Sequence, residues 1–167
     1  MPGAFEDVLS ANEKFASTFV DPGLAGVAAQ GLAVLTCMDS RIDPLAMLGL
    51  RKGDAKILRN AGARVTDDTL RTLVLATYLL GVRRVLIVAH TDCGMSRKTE
   101  DEAHAAILEQ HGIDTRSLHF AMVSDQEAVL RTDVQLVRSL PYLPAQTPVA
   151  GAIYDVNTGR LRVVVPE

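Results

Sequence analysis

The sequence predicts an α/β fold, a single domain over residues 1–167 with a central, mainly parallel β-sheet flanked by helices. The segments Gly31–Cys37 and Val82–His90 are apolar and rich in β-branched residues, and each ends at a polar turn, which is typical of strands buried on both faces. A further segment, Ala55–Arg59, is followed by a helical pattern and then by Val82–His90. A strand, a helix and a strand in that order form a right-handed crossover unit, so at least part of the sheet is parallel.

The first element is an amphipathic helix over Phe5–Phe19. Its apolar residues recur at the spacing of one helical face, with polar residues between them. These apolar residues are Phe5, Val8, Leu9, Ala11, Phe15 and Phe19. Because this helix lies outside the core built on the strands, we expect its apolar face to pack on a dimer partner. The turn Asp21-Pro22-Gly23 follows it.

The first core strand, Gly31–Cys37, leads into the polar loop Met38–Pro44. Pro44–Leu50 then has helix-like spacing, which predicts a short helix before the strand Ala55–Arg59. The next segment, Asn60-Ala61-Gly62-Ala63, is expected to form a turn.

The next helix begins at Thr66, whose hydroxyl suits an N-cap because it can accept a hydrogen bond from a free amide of the first turn. Asp67 and Asp68 place negative charge at the positive end of this helix. The helical pattern ends at Gly81, directly before the strand Val82–His90. The residues expected to face the core are Leu70, Leu73, Val74, Thr77 and Tyr78.

The patterns are weaker after Met95. Ser96–Asp101 is polar and is expected to be a loop, whereas Glu102–Gln110 and Gln126–Leu140 have helical spacing. Leu118–Val123 is compatible with a strand or with a connector. The proline-rich segment 141–148 ends the last helix.

The chain closes with two predicted strands. Val149–Val156 and Arg160–Val165 flank Asn157-Thr158-Gly159, a tight-turn sequence. This pattern predicts a hairpin whose antiparallel strand extends the edge of the sheet.

Composition excludes several classes of partner. Hydrophobic residues make up 48% of the 167 residues and the formal net charge is −3, so the charge favours neither nucleic acid nor a membrane surface. The N-terminus lacks a basic region with an apolar core after it, and no run is long enough to span a bilayer, which predicts a cytoplasmic protein. In a reducing compartment, the only two cysteines, Cys37 and Cys93, are expected to be free thiols or metal ligands.

Three side chains are expected to meet at one edge of the sheet. Cys37 ends one core strand, His90 ends another, and Cys93 follows three residues later. If these strands are neighbours, the two thiolates and the imidazole form a soft, tetrahedral environment that suits zinc. A closed structural zinc site uses four Cys or His ligands, so the fourth position is left for water or an oxygen ligand. Zinc with an open position lowers the pKa of its bound water to about 7, which yields a hydroxide nucleophile.

Asp39 and Arg41 follow the first cysteine at alternate positions, so in an extended loop they point the same way. The guanidinium can hold the carboxylate by two charge-assisted hydrogen bonds, as an acceptor for the proton of the zinc-bound water. Released from Arg41, Asp39 could instead occupy the fourth zinc position and close the site. Both states of Asp39 are compatible with the sequence.

Three motifs occur in the order and spacing of one enzyme family. Cys37-Met38-Asp39-Ser40-Arg41, Arg59-Asn60-Ala61-Gly62 and His90-Thr91-Asp92-Cys93-Gly94 resemble the motifs of the β-class carbonic anhydrases. The likeness is dense from about Gly31 to Met95. Three motifs in register are far more specific than any one of them alone.

The resemblance implies a zinc enzyme. It implies one zinc ion per subunit held by Cys37, His90 and Cys93, with Asp39 and Arg41 as a paired catalytic dyad. It further implies an α/β fold and an obligate homodimer, or a tetramer of two dimers, with active sites near the interface and the N-terminal helix across the partner. The implied activity is the reversible hydration of carbon dioxide to bicarbonate.

Two features depart from the family pattern. Some members have an inhibitory bicarbonate pocket that includes a tryptophan three residues before the first ligand, but this position is Val34 and the chain has no tryptophan. That form of regulation is therefore not expected. Members often have apolar residues after the Cys-Gly motif, whereas Ser96-Arg97-Lys98 is polar, so the pocket mouth or an oligomer contact is expected to differ.

Other residues near these motifs have weaker assignments. Asn60, Gly62 and Gly94 are candidates for the substrate pocket, although Asn60 and Gly62 are equally consistent with a strand end and a turn. Asp92 is expected to be a turn or helix-cap residue. The histidines of the second half are expected on the surface, where one could carry protons to solvent; they are His104, His111 and His119.

Three functions fit the sequence. The first is carbonic anhydrase activity, a zinc lyase reaction on CO2 and bicarbonate, and the second is hydrolysis of a CO2 analogue such as carbonyl sulfide or carbon disulfide at the same zinc site. The third is a non-enzymatic zinc or redox module, against which the open fourth position and the Asp39–Arg41 pair argue. A phosphatase loop is excluded, because neither Cys37 nor Cys93 is followed by an arginine at the Cys-x5-Arg spacing.

Overall fold

The computed structural model describes residues 3–167 and contains one five-stranded sheet with the strand order β2-β1-β3-β4-β5. The strands are β1 (Leu32–Cys37), β2 (Ala55–Asn60), β3 (Arg84–His90), β4 (Val149–Tyr154) and β5 (Leu161–Val165). The first four strands are parallel to one another, and β5 pairs antiparallel with β4. The predicted fold class, including the antiparallel edge strand, is confirmed.

Four α-helices and three short 3-10 turns connect the strands. The helices are α1 (Glu6–Thr18), α2 (Asp67–Leu79), α3 (Glu100–His111) and α4 (Gln126–Arg138). The 3-10 turns are Ala46–Leu48, Ala61–Ala63 and Gly94–Ser96. As predicted, Thr66 caps α2, and its hydroxyl accepts a hydrogen bond from the Thr69 amide at 3.4 Å.

The two strands that carry the candidate ligands lie side by side at the centre of the sheet. All six residues of β1 are buried, and so are the last four of β3, which explains why both segments are almost wholly apolar. The one hydroxyl inside β1, Thr36, donates a 2.9 Å hydrogen bond to the Val88 carbonyl and so is not left unpaired. Parallel pairing of these strands brings their carboxyl ends to the same edge.

The main core lies on the sheet face covered by α2 and α4. Side chains at alternate strand positions, such as Leu35 and Ile87, pack there against Leu73 of α2 and Val134 of α4. The opposite face holds a smaller cluster around Val34, partly covered by the turn Ala46–Leu48. The sheet is therefore held firmly on one face, while its carboxyl edge remains accessible to the loops that carry polar residues.

Three predictions about local structure were wrong in detail. Pro44–Leu50 contains only the three-residue turn Ala46–Leu48, which ends at Gly49 with a φ of 64°. α3 begins at Glu100 rather than Glu102, because the side chains and amides of Thr99 and Glu102 form a reciprocal capping box. Tyr78, predicted to face the core, is 63% exposed on a helix whose buried residues lie on another face. Leu118–Val123, for which two readings were open, is a connector.

The predicted N-terminal helix is present, but it packs on none of the core. None of the described residues of α1 is buried, and its large apolar side chains are exposed, among them Val8 (56%), Leu9 (65%) and Phe15 (58%); Phe5 at its N-cap is exposed as well (71%). Between residues 3 and 167, no helix has both the length and the apolar character needed to cross a membrane.

Candidate metal centre

The predicted ligands converge at the carboxyl edge of the sheet. Cys37 is the last residue of β1, His90 is the last residue of β3, and Cys93 lies in the turn that follows β3. All three are buried, and their ligand atoms lie within 4.8 Å of one another. This separation suits one ion bound by all three side chains, because ligands of a zinc ion at about 2.0–2.3 Å lie on a common tetrahedron.

His90 is oriented so that one ring nitrogen faces this cluster. Its Nδ1 lies 2.9 Å from the Thr91 carbonyl, which can only accept a hydrogen bond, so Nδ1 carries the proton and Nε2 has a free lone pair. Nε2 is buried and has no hydrogen-bond partner within the part of the chain that the structure describes. A buried acceptor without a partner is costly, and a metal ion would satisfy it. The cluster therefore fits zinc, as its donor chemistry predicts.

The Cys37 and Cys93 thiols are in contact, and this contact shifts their pKa values in opposite directions. The Cys93 thiol donates a hydrogen bond to Cys37 and thereby lowers the pKa of Cys37 to about 3, and the Asp39 and Gly62 amides donate further hydrogen bonds to the Cys37 sulfur. The same thiol contact, together with burial, raises the pKa of Cys93. Burial lowers the pKa of His90, but the adjacent Cys37 thiolate favours the charged ring more strongly, so the pKa is raised overall.

Asp39 lies beside this cluster and is bound by Arg41. The Arg41 backbone amide and Nε donate to Asp39 Oδ1 at 2.9 and 3.0 Å, and Nη2 donates to Oδ2 at 2.7 Å. These hydrogen bonds hold the pKa of Asp39 well below its usual range. The Oδ2 atom lies 3.9 Å from His90 Nε2. The carboxylate thus lies beside the donor cluster, while both of its oxygens accept hydrogen bonds from Arg41.

Of the three pocket candidates, Gly62 hydrogen-bonds to a candidate ligand. Its amide donates to Cys37, its φ is 79°, and a Cβ added there would lie 3.4 Å from Met95 Cβ. Gly94 is exposed in the turn after Cys93. The Asn60 side chain donates to the Arg64 carbonyl at 2.7 Å and accepts from the Arg64 amide at 2.8 Å, so it closes a local turn. Whether these three residues contact substrate stays a prediction.

Asp92 does more than the turn role predicted for it. Arg41 Nη1 donates to Asp92 Oδ2 at 2.9 Å, and Arg97 Nη2 donates to Asp92 Oδ1 at 2.6 Å. Sequence reasoning missed this contact because 51 residues separate Arg41 from Asp92. In the sequence, the only indication of this contact was that an acidic residue lies between two candidate ligands. Its short polar side chain tolerates the left-handed backbone that the structure shows there.

A second missed link connects the site to α4. Arg64 Nε donates to Asp133 Oδ2 at 2.8 Å, and Arg64 Nη1 donates to the Ala121 carbonyl at 2.7 Å. Asp133 is almost fully buried. Its burial could not be predicted from the sequence, because an acidic residue in a helix with many polar positions is expected on the exposed side. Through Arg64, this ion pair fixes the end of the turn that carries Gly62.

His104 was predicted to be a surface residue, and this was wrong. It lies on α3 with its side chain buried: Nδ1 lies 2.9 Å from Thr115 Oγ1, and the ring centroid lies 4.6 Å from that of Phe120. Because its helix has little apolar patterning, no inward-facing side could be predicted from the sequence. His111 and His119 are exposed, as predicted.

Comparison with known proteins identifies similar chains. The family model described as carbonic anhydrase matches residues 32–161. Beta-carbonic anhydrase 1 of Mycobacterium tuberculosis is 36% identical over 163 residues, which cover 96% of this chain and 98% of that protein. Carbon disulfide hydrolase of Acidianus sp. is 32% identical over 155 residues, which cover 78% of this chain and 76% of that protein. The crystal structure of a carbonic anhydrase from Streptococcus mutans superposes with a TM-score of 0.90 at 36% identity, over 98% of this chain and 99% of that one.

Proposed function

Because the chain belongs to the β-class carbonic anhydrase family, we propose that it catalyses the reversible hydration of carbon dioxide to bicarbonate and a proton. The observation that carries this proposal is the buried cluster of Cys37, His90 and Cys93 with the Arg41-bound carboxylate of Asp39 beside it. A zinc lyase needs both parts, since the metal ligands alone would serve a structural site equally well.

Zinc would be held by the Cys37 and Cys93 sulfurs and by His90 Nε2, one ion per subunit. Bound there, it supplies a Lewis acid that makes water a nucleophile at neutral pH. Groups of this chain would also balance the charge of the ion and hold one of its ligands in place. The two thiolates favour a divalent cation, and the Asp39 and Gly62 amides hydrogen-bond to the Cys37 sulfur and hold it in place. A reducing compartment such as the cytoplasm suits a site that depends on two thiolates.

Asp39 orients the reacting water in this proposal. Its Oδ2 atom lies 3.9 Å from His90 Nε2, so it can accept a hydrogen bond from a water molecule beside the ligand cluster. Arg41 keeps the carboxylate ionised, because its hydrogen bonds hold the pKa of Asp39 far below neutrality. Asp39 therefore acts as a fixed acceptor, and the proton released by the reaction passes on to solvent or buffer.

Hydrolysis of carbon disulfide is the second candidate function. It is favoured by the 32% identity to the carbon disulfide hydrolase of Acidianus sp. over 78% of this chain. Both reactions need the same zinc site, because CO2, carbonyl sulfide and carbon disulfide are linear molecules attacked at the central carbon. The shape of the access route decides between them.

Stopped-flow measurement of CO2 hydration on zinc-replete protein tests the proposal, with carbonyl sulfide and carbon disulfide hydrolysis measured in parallel. We expect fast CO2 hydration, and we expect Asp39→Ala to lower turnover by about a hundredfold or more while zinc stays bound. The control is Asp114→Ala, which breaks an exposed Asp–Arg pair elsewhere and should leave turnover unchanged. Turnover of carbon disulfide without CO2 hydration would favour the second candidate, and silence on all substrates would contradict both.

We also propose that the working unit contains a second copy of this chain. The support is the apolar face of α1, which buries none of its described residues on its own domain although it carries Val8, Leu9 and Phe15. An exposed face of this kind marks a protein interface. We choose a second copy of this chain as the partner because it is always present in solution, and symmetric dimers are the commonest homo-oligomers.

A further inference from the structure

Arg41 is held from two sides. On one side it binds Asp39 through Nε and Nη2, and on the other it binds Asp92 through Nη1, at 2.9 Å, and through Nη2, which donates to the Asp92 backbone carbonyl at 3.0 Å. Four of the five guanidinium N–H groups therefore have acceptors at the site. A planar fork that is bound along both edges cannot rotate away from either carboxylate without breaking several hydrogen bonds.

The position of Asp92 is itself fixed by two features. It lies between His90 and Cys93 with a φ of 54°, a left-handed conformation that turns both its side chain and its carbonyl toward Arg41. Arg97 then donates to the remaining carboxylate oxygen at 2.6 Å. The result is a chain of alternating charges from Asp39 through Arg41 and Asp92 to Arg97, which joins the loop after β1 to the loop after β3.

A second Asp-x-Arg sequence in the same chain shows what Asp92 adds. In Asp114-Thr115-Arg116, the arginine amide and Nε donate to Asp114 Oδ1 at 3.0 and 2.9 Å, and Nη2 donates to Oδ2 at 2.6 Å. This pattern is nearly the same as that of Asp39 and Arg41. Within residues 3–167, no third side chain binds Arg116. The pair thus forms from local sequence alone, and only at the candidate site is its arginine anchored to another loop.

We propose that Asp92, supported by Arg97, is a positioning residue that holds Arg41 so that the Asp39 carboxylate stays aimed at the reacting water. This inference rests on the function proposed above. Without Asp92, Arg41 can rotate toward solvent and take Asp39 with it, or release Asp39 toward His90 Nε2, which lies only 3.9 Å from its Oδ2 atom. Asp92 acts through Arg41 and touches no substrate.

The first test is a double-mutant cycle on turnover of the zinc-loaded protein. Asp92→Gly removes the carboxylate but accepts the left-handed backbone without strain, so the fold is retained. We expect kcat for CO2 hydration to fall about threefold to tenfold with KM unchanged, a size consistent with loss of an exposed charged pair. In an Arg41→Ala background, Asp92→Gly should have no further effect. Asp92→Asn, which keeps an acceptor oxygen for Arg41, should recover part of the loss.

The second test is independent of activity. In ¹⁵N-arginine-labelled protein, the Arg41 side-chain N–H signals should exchange slowly with solvent, and Asp92→Gly should accelerate their exchange at least about threefold. The Arg116 signals, from the pair without a third partner, should be unaffected and provide the internal control. Asp114→Gly is the matched variant and should change neither Arg41 exchange nor kcat.

Two results would overturn the assignment. One is an equal fall in kcat caused by Asp92→Gly with and without Arg41, which would show a general structural role. The other is unchanged Arg41 exchange in Asp92→Gly. If the wild-type protein lacked CO2 hydration altogether, the proposed function would fail, but the exchange measurement would still decide whether Asp92 holds Arg41.

Discussion

At the scale of single residues, the site is arranged around charges that cannot easily be neutralised. Arg41 donates three hydrogen bonds to Asp39, and these hold the pKa of the carboxyl well below its usual range. The carboxylate is therefore charged at every pH at which an enzyme of this kind works. Protonation of Asp39 is therefore not expected to change activity near neutrality.

The Asp39–Arg41 pair should make stability depend on pH only in acid. Because the pKa of Asp39 is lowered on folding, its contribution is complete above the unfolded-state pKa of about 4 and is lost as the pH falls further. We expect the difference in unfolding free energy between the metal-free wild type and Asp39→Asn to be constant from pH 5 to 9 and to shrink below pH 4. Urea denaturation at each pH measures it, and a difference that vanishes between pH 6 and 8 would contradict this reading.

The unpartnered nitrogen of His90 predicts a stability effect of the metal. A ligand that binds only the folded state stabilises it by about 2.7 kcal/mol when its free concentration is 100 times its dissociation constant. We expect chelation to lower the melting temperature and added zinc to restore it. Cys93→Ser should weaken this response strongly, since it removes one of the three donors, whereas Ser96→Ala in the same turn should leave it intact. Equal responses in wild type and Cys93→Ser would place the zinc elsewhere.

The clustering of the candidate ligands could be predicted in part from strand ends. Cys37 and His90 are the last residues of apolar strands, and a parallel sheet brings such ends to one edge, but the sequence left open whether the two strands are neighbours, which the structure shows. The Asp39–Arg41 pair was predictable from local spacing, since only Ser40 separates its members. The Asp92 contact and the burial of His104 depend instead on how distant loops dock, which periodicity and spacing do not encode.

At the scale of elements, α4 and β4 meet through a glycine. A Cβ added to Gly151 would lie 2.9 Å from Val134 Cγ2 and 3.0 Å from Leu130 Cγ, both on α4. The strand therefore accepts the helix only because it has no side chain at this position. This close approach sets the distance of α4 from the sheet and hence the position of Asp133, which holds Arg64 behind the site.

We expect Gly151→Ala to destabilise the protein by about 1–3 kcal/mol, because overpacked cores force neighbouring side chains and backbone to move. The control is Gly26→Ala, where an added Cβ meets no atom within 4 Å and the backbone is not left-handed. That variant should differ little from wild type in urea denaturation. If both variants had the same midpoint, the α4–β4 contact would be looser than the structure shows.

The elements themselves were predictable to differing degrees. β1 and β3 were recognised because all of β1 and most of β3 are buried and their residues are almost all apolar. Pro44–Leu50 failed because helical spacing over seven residues is also satisfied by one short turn, and Gly49 ends it. The start of α3 depended on a capping box in a polar stretch, where apolar periodicity gives no information.

At the scale of the whole molecule, the core is covered by the chain itself, whereas the N-terminal helix leaves its apolar face exposed. The core residues are covered within the chain, with Leu35, Leu73 and Ile87 almost completely buried. α1 contributes nothing to that core, yet its sequence has the stripe of a packed helix. Sequence alone predicted the helix, and covering of its apolar face by a second copy of the chain stays a prediction, because amphipathicity does not reveal which chain provides the covering surface.

The proposed dimer can be tested at Phe15, which is 58% exposed on α1 and lies 5.4 Å from the Phe19 ring, centroid to centroid. We expect Phe15→Glu to shift the protein from dimer to monomer in sedimentation velocity, because a carboxylate buried in an apolar interface without a partner is costly. Asn12→Glu introduces the same charge on the same helix at a polar position and should remain dimeric. Circular dichroism should show the same helix content for both variants, since neither residue packs on its own domain. A wild type that sediments as a monomer, or a Phe15→Glu variant with an unchanged dissociation constant, would show that α1 is not the dimer contact.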